Sequence, residues 1–280
     1  MFDLHSHTIF SDGELDPKEL LKKMYEENIS ICSITDHNHC LAYEDLKVNE
    51  DIKYIVGTEI ATSYKGYVIE ILGYEVDYSI INKWYKEYYS DDNLIKREKK
   101  LFSELKEISK KNGFEIDSNF EMEKIVKGQS KKTIYYYLKE NYKDFSFNNY
   151  KDFFRKGLSN PSSIWFIDEG RYYPTIKEVI DLIHSAGGKA ILAHPYEYGF
   201  DNLNELFSYL IDSNIDGIES FHPSASMYEG IKIAKYCVDN NLYSSGGSDY
   251  HNEKRLVPLG IRIVDKVFNF KCFDWIREYL

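Results

Sequence analysis

Long apolar runs are missing from this chain of 280 residues. None approaches the ~20 residues that a bilayer-spanning helix requires. No charged, apolar and small-residue signal segment precedes His5, so a cytoplasmic protein with no membrane partner is expected. Cysteine is scarce. Cys32, Cys40, Cys237 and Cys272 lack the close spacing of metal-binding knuckles, and a chain of this length folds without disulfides, so all four read as reduced thiols. Positive charge is also short: 35 Lys and Arg stand against 46 Asp and Glu, a formal net of −11. With no long basic stripe, the electrostatic footprint of duplex-DNA binding is absent, and only nucleotides or short RNA ends remain open as nucleic-acid partners.

Aromatic residues are plentiful. The 25 Tyr and 16 Phe can build a large core, and some Tyr must also lie near the surface or a cleft. The pattern along the chain is strand then helix. Asp16-Pro17 opens a helix running to about Asn28, residues 31–35 read as a buried strand, 42–48 as a short helix, 52–56 as a third strand and 67–74 as a fourth. The alternation resumes with a capping box at Thr175 and Glu178. Strands at 190–193, 217–221 and 242–245 then enclose helices at 203–210 and 227–238. Such repetition implies mostly parallel pairing.

Between 91 and 165 the character changes to a helical period, which divides the chain into 1–90 with 166–280 and an inserted helical cap at 91–165. The insertion carries 16 Lys and Arg against 12 Asp and Glu, a net of +4, leaving −15 for the remainder. A mildly basic cap over an acidic remainder favours a small anionic substrate; a solvated lysine-rich helical face explains the composition equally well.

The chemistry lies at the strand ends. His5-Ser6-His7, Thr35-Asp36-His37, Gly57-Thr58-Glu59, Ala193-His194-Pro195 and Ser248-Asp249-Tyr250-His251 each follow a short apolar run, and Asp12 sits in the turn Ser11-Asp12-Gly13. Taken singly, each has an ordinary explanation: a turn aspartate, a capping residue, a surface glutamate, a packed His-Pro turn. Taken together they do not. Six of the eight histidines fall in such positions once His222 of Phe221-His222-Pro223 is counted, leaving only His39 and His184. Imidazoles and carboxylates recurring at the carboxyl ends of parallel strands describe a polynuclear metal site on an α/β barrel.

In this order the motifs resemble the polymerase and histidinol phosphatase (PHP) family, and the likeness extends through Ala186-Gly187-Gly188 to His194-Pro195 and Gly217 to Pro223. The resemblance implies a distorted (β/α)7 barrel, TIM-related, with an inserted helical cap, and up to three divalent metals such as Mn, Fe, Zn or Mg. By that likeness His5, His7, Glu59 and Asp249 form one ligand set, and Asp12, His37, His194 and His251 a second. The chain departs from the family where relatives usually place two further histidines. Glu70 occupies one of those places and the segment near Lys131-Lys132-Thr133 has none, so two bound metals are expected, with a third position empty or weakly held through Glu59 and Glu70.

The activity so implied is that of a metal-dependent phosphoesterase acting on a nucleotide, nucleoside bisphosphate or short oligonucleotide through metal-activated water. Glu59 bridges the metals, Asp249 and His222 serve catalysis, and Arg171, Arg255 and His222 are the candidate phosphate contacts; Tyr135 to Tyr137 could stack on a base or pack in a core. A histidinol-phosphate phosphatase, a metal-dependent hydrolase of a non-phosphate bond, and a noncatalytic metal-binding regulatory module remain alternatives. The oligomeric state is open.

Overall fold

In the computed structural model, residues 1–44, 46, 53–117, 120, 129–263 and 265–279 are described. They divide into two compact units, Met1–Tyr85 with Tyr173–Leu280, and Lys86–Tyr172.

In the first unit, strands β1 (Phe2–Asp3), β2 (Ile31–Cys32) and β3 (Lys53–Tyr54) pair in parallel in that order. Helix α1 (Pro17–Glu26) starts at Asp16, whose carboxylate accepts from the Lys18 and Glu19 amides while Glu19 reaches back, and it buries Leu20, Leu21 and Met24. A second sheet runs β4 (Gly57–Tyr64), β5 (Tyr67–Tyr74), β6 (Lys189–Leu192), β7 (Gly217–Phe221) and β8 (Tyr243–Gly246). The pairing is mostly parallel, as expected, but strand β5 is an exception. Only Lys65 and Gly66 separate β4 from β5, both at positive φ (50° and 84°), and such a turn makes an antiparallel hairpin. A parallel partner would need a crossover of a dozen residues or more. Strand β6 pairs antiparallel with β5, while β6, β7 and β8 are mutually parallel.

Backbone hydrogen bonds also join the two sheets. Leu4 N donates to Gly246 O (3.1 Å), Asp249 N to His5 O (2.8 Å) and His7 N to Tyr250 O (2.9 Å); on the other flank Glu59 N donates to Asp36 O (3.2 Å) and Asn38 N to Glu59 O (2.7 Å). The outer helices follow their caps. After α2 (Tyr78–Tyr88), which runs past the division between the units, α6 (Ile176–Ser185) and α8 (Met227–Asp239) carry capping boxes at Thr175/Glu178 and Ser226/Glu229, and α7 (Leu203–Asp212) starts on Asn202. The helix expected at 42–48 is seen as a 3-10 turn at Leu41–Tyr43, with residues 45, 47 and 48 outside the described residues, as is residue 52 of the third expected strand. Ile31, Ile34, Ile60, Ile71, Leu192, Ile218 and Phe273 are among the core side chains. All four cysteines are buried and free, and burial pushes each thiol well up.

The second unit has its own core. Helices α3 (Asp91–Lys111), α4 (Ser130–Asn141) and α5 (Tyr150–Asp152), the last running into a π-helical turn at Phe153–Leu158, enclose Leu105, Ile134, Leu138, Phe145, Phe153 and Trp165. Tyr135 belongs to that core, whereas Tyr136 is 62% exposed. Among the described residues no helix is long and apolar enough to cross a membrane.

Candidate metal centre

Side chains two apart on extended backbone share a face. His5 and His7 therefore point the same way, and both are fully buried. His5 Nε2 lies 3.2 Å from Glu59 and 3.4 Å from Asp249; His7 Nε2 lies 3.3 Å from Glu59 and 3.1 Å from Asp249. Neither nitrogen has a hydrogen-bond partner. Glu59, expected just beyond the end of the third strand, sits inside β4, and its carboxylate also meets His194 Nε2 (2.9 Å) and His37 Nδ1 (3.1 Å). One carboxylate thus faces four imidazoles.

On one side of Glu59, His7, Asp12, His37 and His251 each bring one donor atom to a common point, with Asp12 3.1 Å from His251 and 3.6 Å from His37. On the other side stands Glu70, 3.3 Å from His194 and 3.5 Å from His37. His194 therefore does not join Asp12 and His251, as expected, but Glu59 and Glu70. The topology explains this: β6 pairs with β5, so Ala193 N donates to Glu70 O (3.0 Å), whereas His251 follows β8 and lies beside the first strand. His222 and Asp249 complete a further group with His5.

Burial opposes charge on these imidazoles, but the facing carboxylates outweigh it. Glu59 and Glu219 hold the His5 imidazole well above its usual range, Glu59 and Glu70 do so for His194, and Asp249 and Glu59 raise His7 from 6.5 to about 9. Burial likewise works against ionised carboxylates, yet His222 and His7 hold Asp249 well below the usual range, and the imidazoles around Glu59 hold it down as well. Asp12 is lowered to about 2, chiefly by its hydrogen bond with His251. Buried nitrogens without hydrogen-bond partners, facing buried carboxylate oxygens, suit divalent cations that accept mixed nitrogen and oxygen ligands.

A supporting layer fixes these groups. Glu219, wholly buried in β7, takes His5 Nδ1 on one oxygen (3.2 Å) and the His194 backbone amide on the other (2.7 Å). The first contact directs the His5 proton to Nδ1 and leaves Nε2 free to ligate. Sequence motifs alone did not single out Glu219, although a glutamate inside a five-residue buried strand was the available signal. Asp36 turns away from the centre: its carboxylate accepts from Thr8 N (2.8 Å), Thr8 Oγ1 (2.6 Å) and Ser11 Oγ (2.6 Å), holding the loop that carries Asp12. His194 and Asp249 adopt φ of 21° and 51°, conformations that non-glycine residues keep only when their surroundings impose them. Gly247 permits the approach of β8 to the first strand, since a Cβ there would lie 2.2 Å from His5 Cβ.

His222 differs in tautomer. Ser224 N donates to its Nδ1 (3.1 Å), so the neutral ring carries its proton on Nε2, which is buried without a hydrogen-bond partner and 3.6 Å from Asp249. Arg255 Nη1 lies 3.5 Å from Asp249. Arg171 belongs to the second unit, where Glu104 (3.2 Å) and Asp168 O (2.9 Å) engage it. His39 contacts Phe10 O and His184 pairs with Asp216, both apart from the centre.

The PHP domain model matches residues 3–248. The chain belongs to the PHP domain family. This PHP domain is 27% identical over 274 residues to the 5′-3′ exoribonuclease Rnm of Escherichia coli, covering 94% of this chain and 89% of that one. It is 21% identical over 254 residues to the 3′,5′-nucleoside bisphosphate phosphatase of Chromobacterium violaceum, covering 89% and 86%. In fold it is similar to an amidohydrolase structure from Chromobacterium violaceum, with a TM-score of 0.61, 19% identity and coverage of 94% and 92%.

Proposed function

We propose that this PHP domain is a metal-dependent phosphoesterase that hydrolyses a small phosphorylated substrate: a nucleotide, a nucleoside bisphosphate or a short oligonucleotide, RNA ends included. The carrying observation is Glu59, a buried carboxylate within 3.3 Å of His5, His7, His37 and His194. The named activities of the exoribonuclease and the bisphosphate phosphatase support phosphoester chemistry. The backbone hydrogen bonds on both flanks of the two sheets support a distorted (β/α)7 barrel over 1–90 and 166–280, and the separate hydrophobic core of the second unit supports 91–165 as a helical insertion.

His5, His7, Glu59 and Asp249 would hold one divalent cation, and Asp12, His37 and His251 a second. His194, with Glu59 and Glu70, supplies a third position with an imidazole as well as carboxylates, a stronger donor set than two glutamates alone. Bound cations would supply a water activated near neutral pH and neutralise phosphoryl charge. The remaining work falls to side chains. His222 directs its Nε2–H toward the site and can donate a hydrogen bond to the leaving oxygen, Arg255 offers a donor to a phosphoryl oxygen, and Glu219 keeps His5 in its ligating tautomer.

Phosphate release from a panel of nucleotides, nucleoside bisphosphates, short RNAs and histidinol phosphate, with Mn supplied and bound metal counted, tests the proposal. Selective release with metal bound supports it. Bound metal and no release from any member would favour a non-phosphate hydrolase or a binding module.

A further inference from the structure

A cleft of about 370 Å3 shares His222 with the metal centre, a volume within the ~300–1,000 Å3 of small-molecule sites. Buried His222 and Ser248 form part of its lining, and beyond them the walls are largely apolar, with Phe221, Met227, Leu256 and Pro258 among them. Leu256 is 90% exposed and Met227 48%. Both are large apolar side chains held out in solvent on the walls of a cleft that a buried imidazole also lines.

The exposure of Leu256 is built into the backbone. Asn252 Oδ1 accepts from the Lys254 and Arg255 amides, and the turn ends with Leu256 N donating to Glu253 O and Leu256 at a φ of 55°. A branched apolar residue in the left-handed region is uncommon. Its neighbour Arg255 is the residue that reaches Asp249. Arg262 also lines the cleft; its Nε faces Met1 Sδ (3.1 Å), and among the described residues no carboxylate pairs with its guanidinium.

We propose that this cleft is the nucleobase subsite, with Leu256 and Met227 as its specificity-determining contacts; the inference rests on the phosphoesterase reading above. The phosphoryl group belongs among the cation ligands, and the leaving oxygen belongs near His222, whose Nε2–H can donate a hydrogen bond to it. The organic part of the substrate then extends past His222 into the cleft. A nucleobase fits such walls because its faces are flat and apolar and its edge carries hydrogen-bond acceptors, which Arg262 can meet as a donor. A bare sugar, polar on every side, would leave the Leu256 and Met227 surfaces in contact with hydroxyls.

The test compares kcat/KM on nucleotides with that on abasic sugar phosphates of the same phosphorylation pattern, for the full-length metal-loaded protein and its Leu256→Asp and Met227→Asp variants. Both positions are solvent-exposed, and thermal melting verifies that each variant is folded. The ratio of nucleotide to abasic kcat/KM is expected to fall on the order of 10-fold in each variant, carried mainly by KM. A ratio that does not move overturns the subsite, as does a wild-type protein that hydrolyses phosphoesters with no preference for those bearing a base. A wild-type protein that hydrolyses no phosphoester at all overturns the phosphoesterase reading, and the subsite falls with it.

Discussion

Glu219→Gln changes one atom and keeps the shape of the side chain, which makes it the sharpest probe of the centre. In the native protein the carboxylate accepts from His5 Nδ1, at 3.2 Å on Oε1 and 3.4 Å on Oε2, and from the His194 amide at 2.7 Å on Oε2, with no solvent access. A glutamine retains one acceptor; its amide group presents N–H to the other donor. One charge-assisted hydrogen bond is lost, worth about 1.5–3 kcal/mol. If the glutamine keeps the His194 contact, His5 loses the partner that fixes its proton on Nδ1. The ring can then take the other tautomer, with its proton aimed at Glu59 and Asp249. Loss of such an outer partner typically costs about 10–100-fold in metal affinity or activity. The assay is titration of metal-free protein with Mn by calorimetry, alongside kcat/KM for phosphate release. Wild-type metal affinity and activity in a folded Glu219→Gln protein would refute the positioning role. A loss of stability with metal affinity intact would mean that only the His194 contact matters.

Three further outcomes are expected. His194→Ala should lower bound metal by one ion per chain, counted by elemental analysis, while the Asp12, His37 and His251 position remains filled; loss of all metal, or of none, contradicts the grouping with Glu70. His222→Ala should reduce kcat by roughly 10²–10³-fold with metal content maintained, as for removal of a hydrogen-bond donor to developing charge; a fall in metal content instead would make it a ligand. Cation binding should release protons. The His7 pKa is raised from 6.5 to about 9, so its protonated pairing with Asp249 and Glu59 stabilises the metal-free protein fully below about pH 6.5 and fades as pH rises through about 9. A cation must displace that proton, so apparent affinity should climb across this window; calorimetry in buffers of different ionisation enthalpy reads the released protons, and their absence contradicts the model.

Most of the ligands were legible because their residue types are rare and their spacing regular. His5-Ser6-His7 needs only the two-residue period of extended chain to place both rings together, and the capping boxes at Asp16, Thr175 and Ser226 fix helix starts locally. What was not legible depends on which strands are neighbours. The His194 partners are decided by β6 lying against β5, and no local pattern around residue 194 encodes that. The hairpin at Lys65-Gly66 was readable from its two-residue turn, yet alternation of strands and helices elsewhere favoured parallel pairing. Glu219 was hidden because a buried outer-layer carboxylate leaves no motif beyond a charge in an apolar strand.

The meeting of His7 with Tyr250, first segment against last, fixes when the centre can exist. During synthesis His5, His7, Asp12, His37 and Glu59 emerge early, whereas Asp249 and His251 follow some 190 residues after Glu59, roughly 10–40 s later at ordinary elongation rates. For that interval the nascent chain displays an incomplete set of histidines and carboxylates, able to catch a cation loosely but not to enclose it. The full ligand set therefore exists only once the segment after β8 lies against the first strand, and a bound cation would tie together two parts of the polypeptide far apart in sequence.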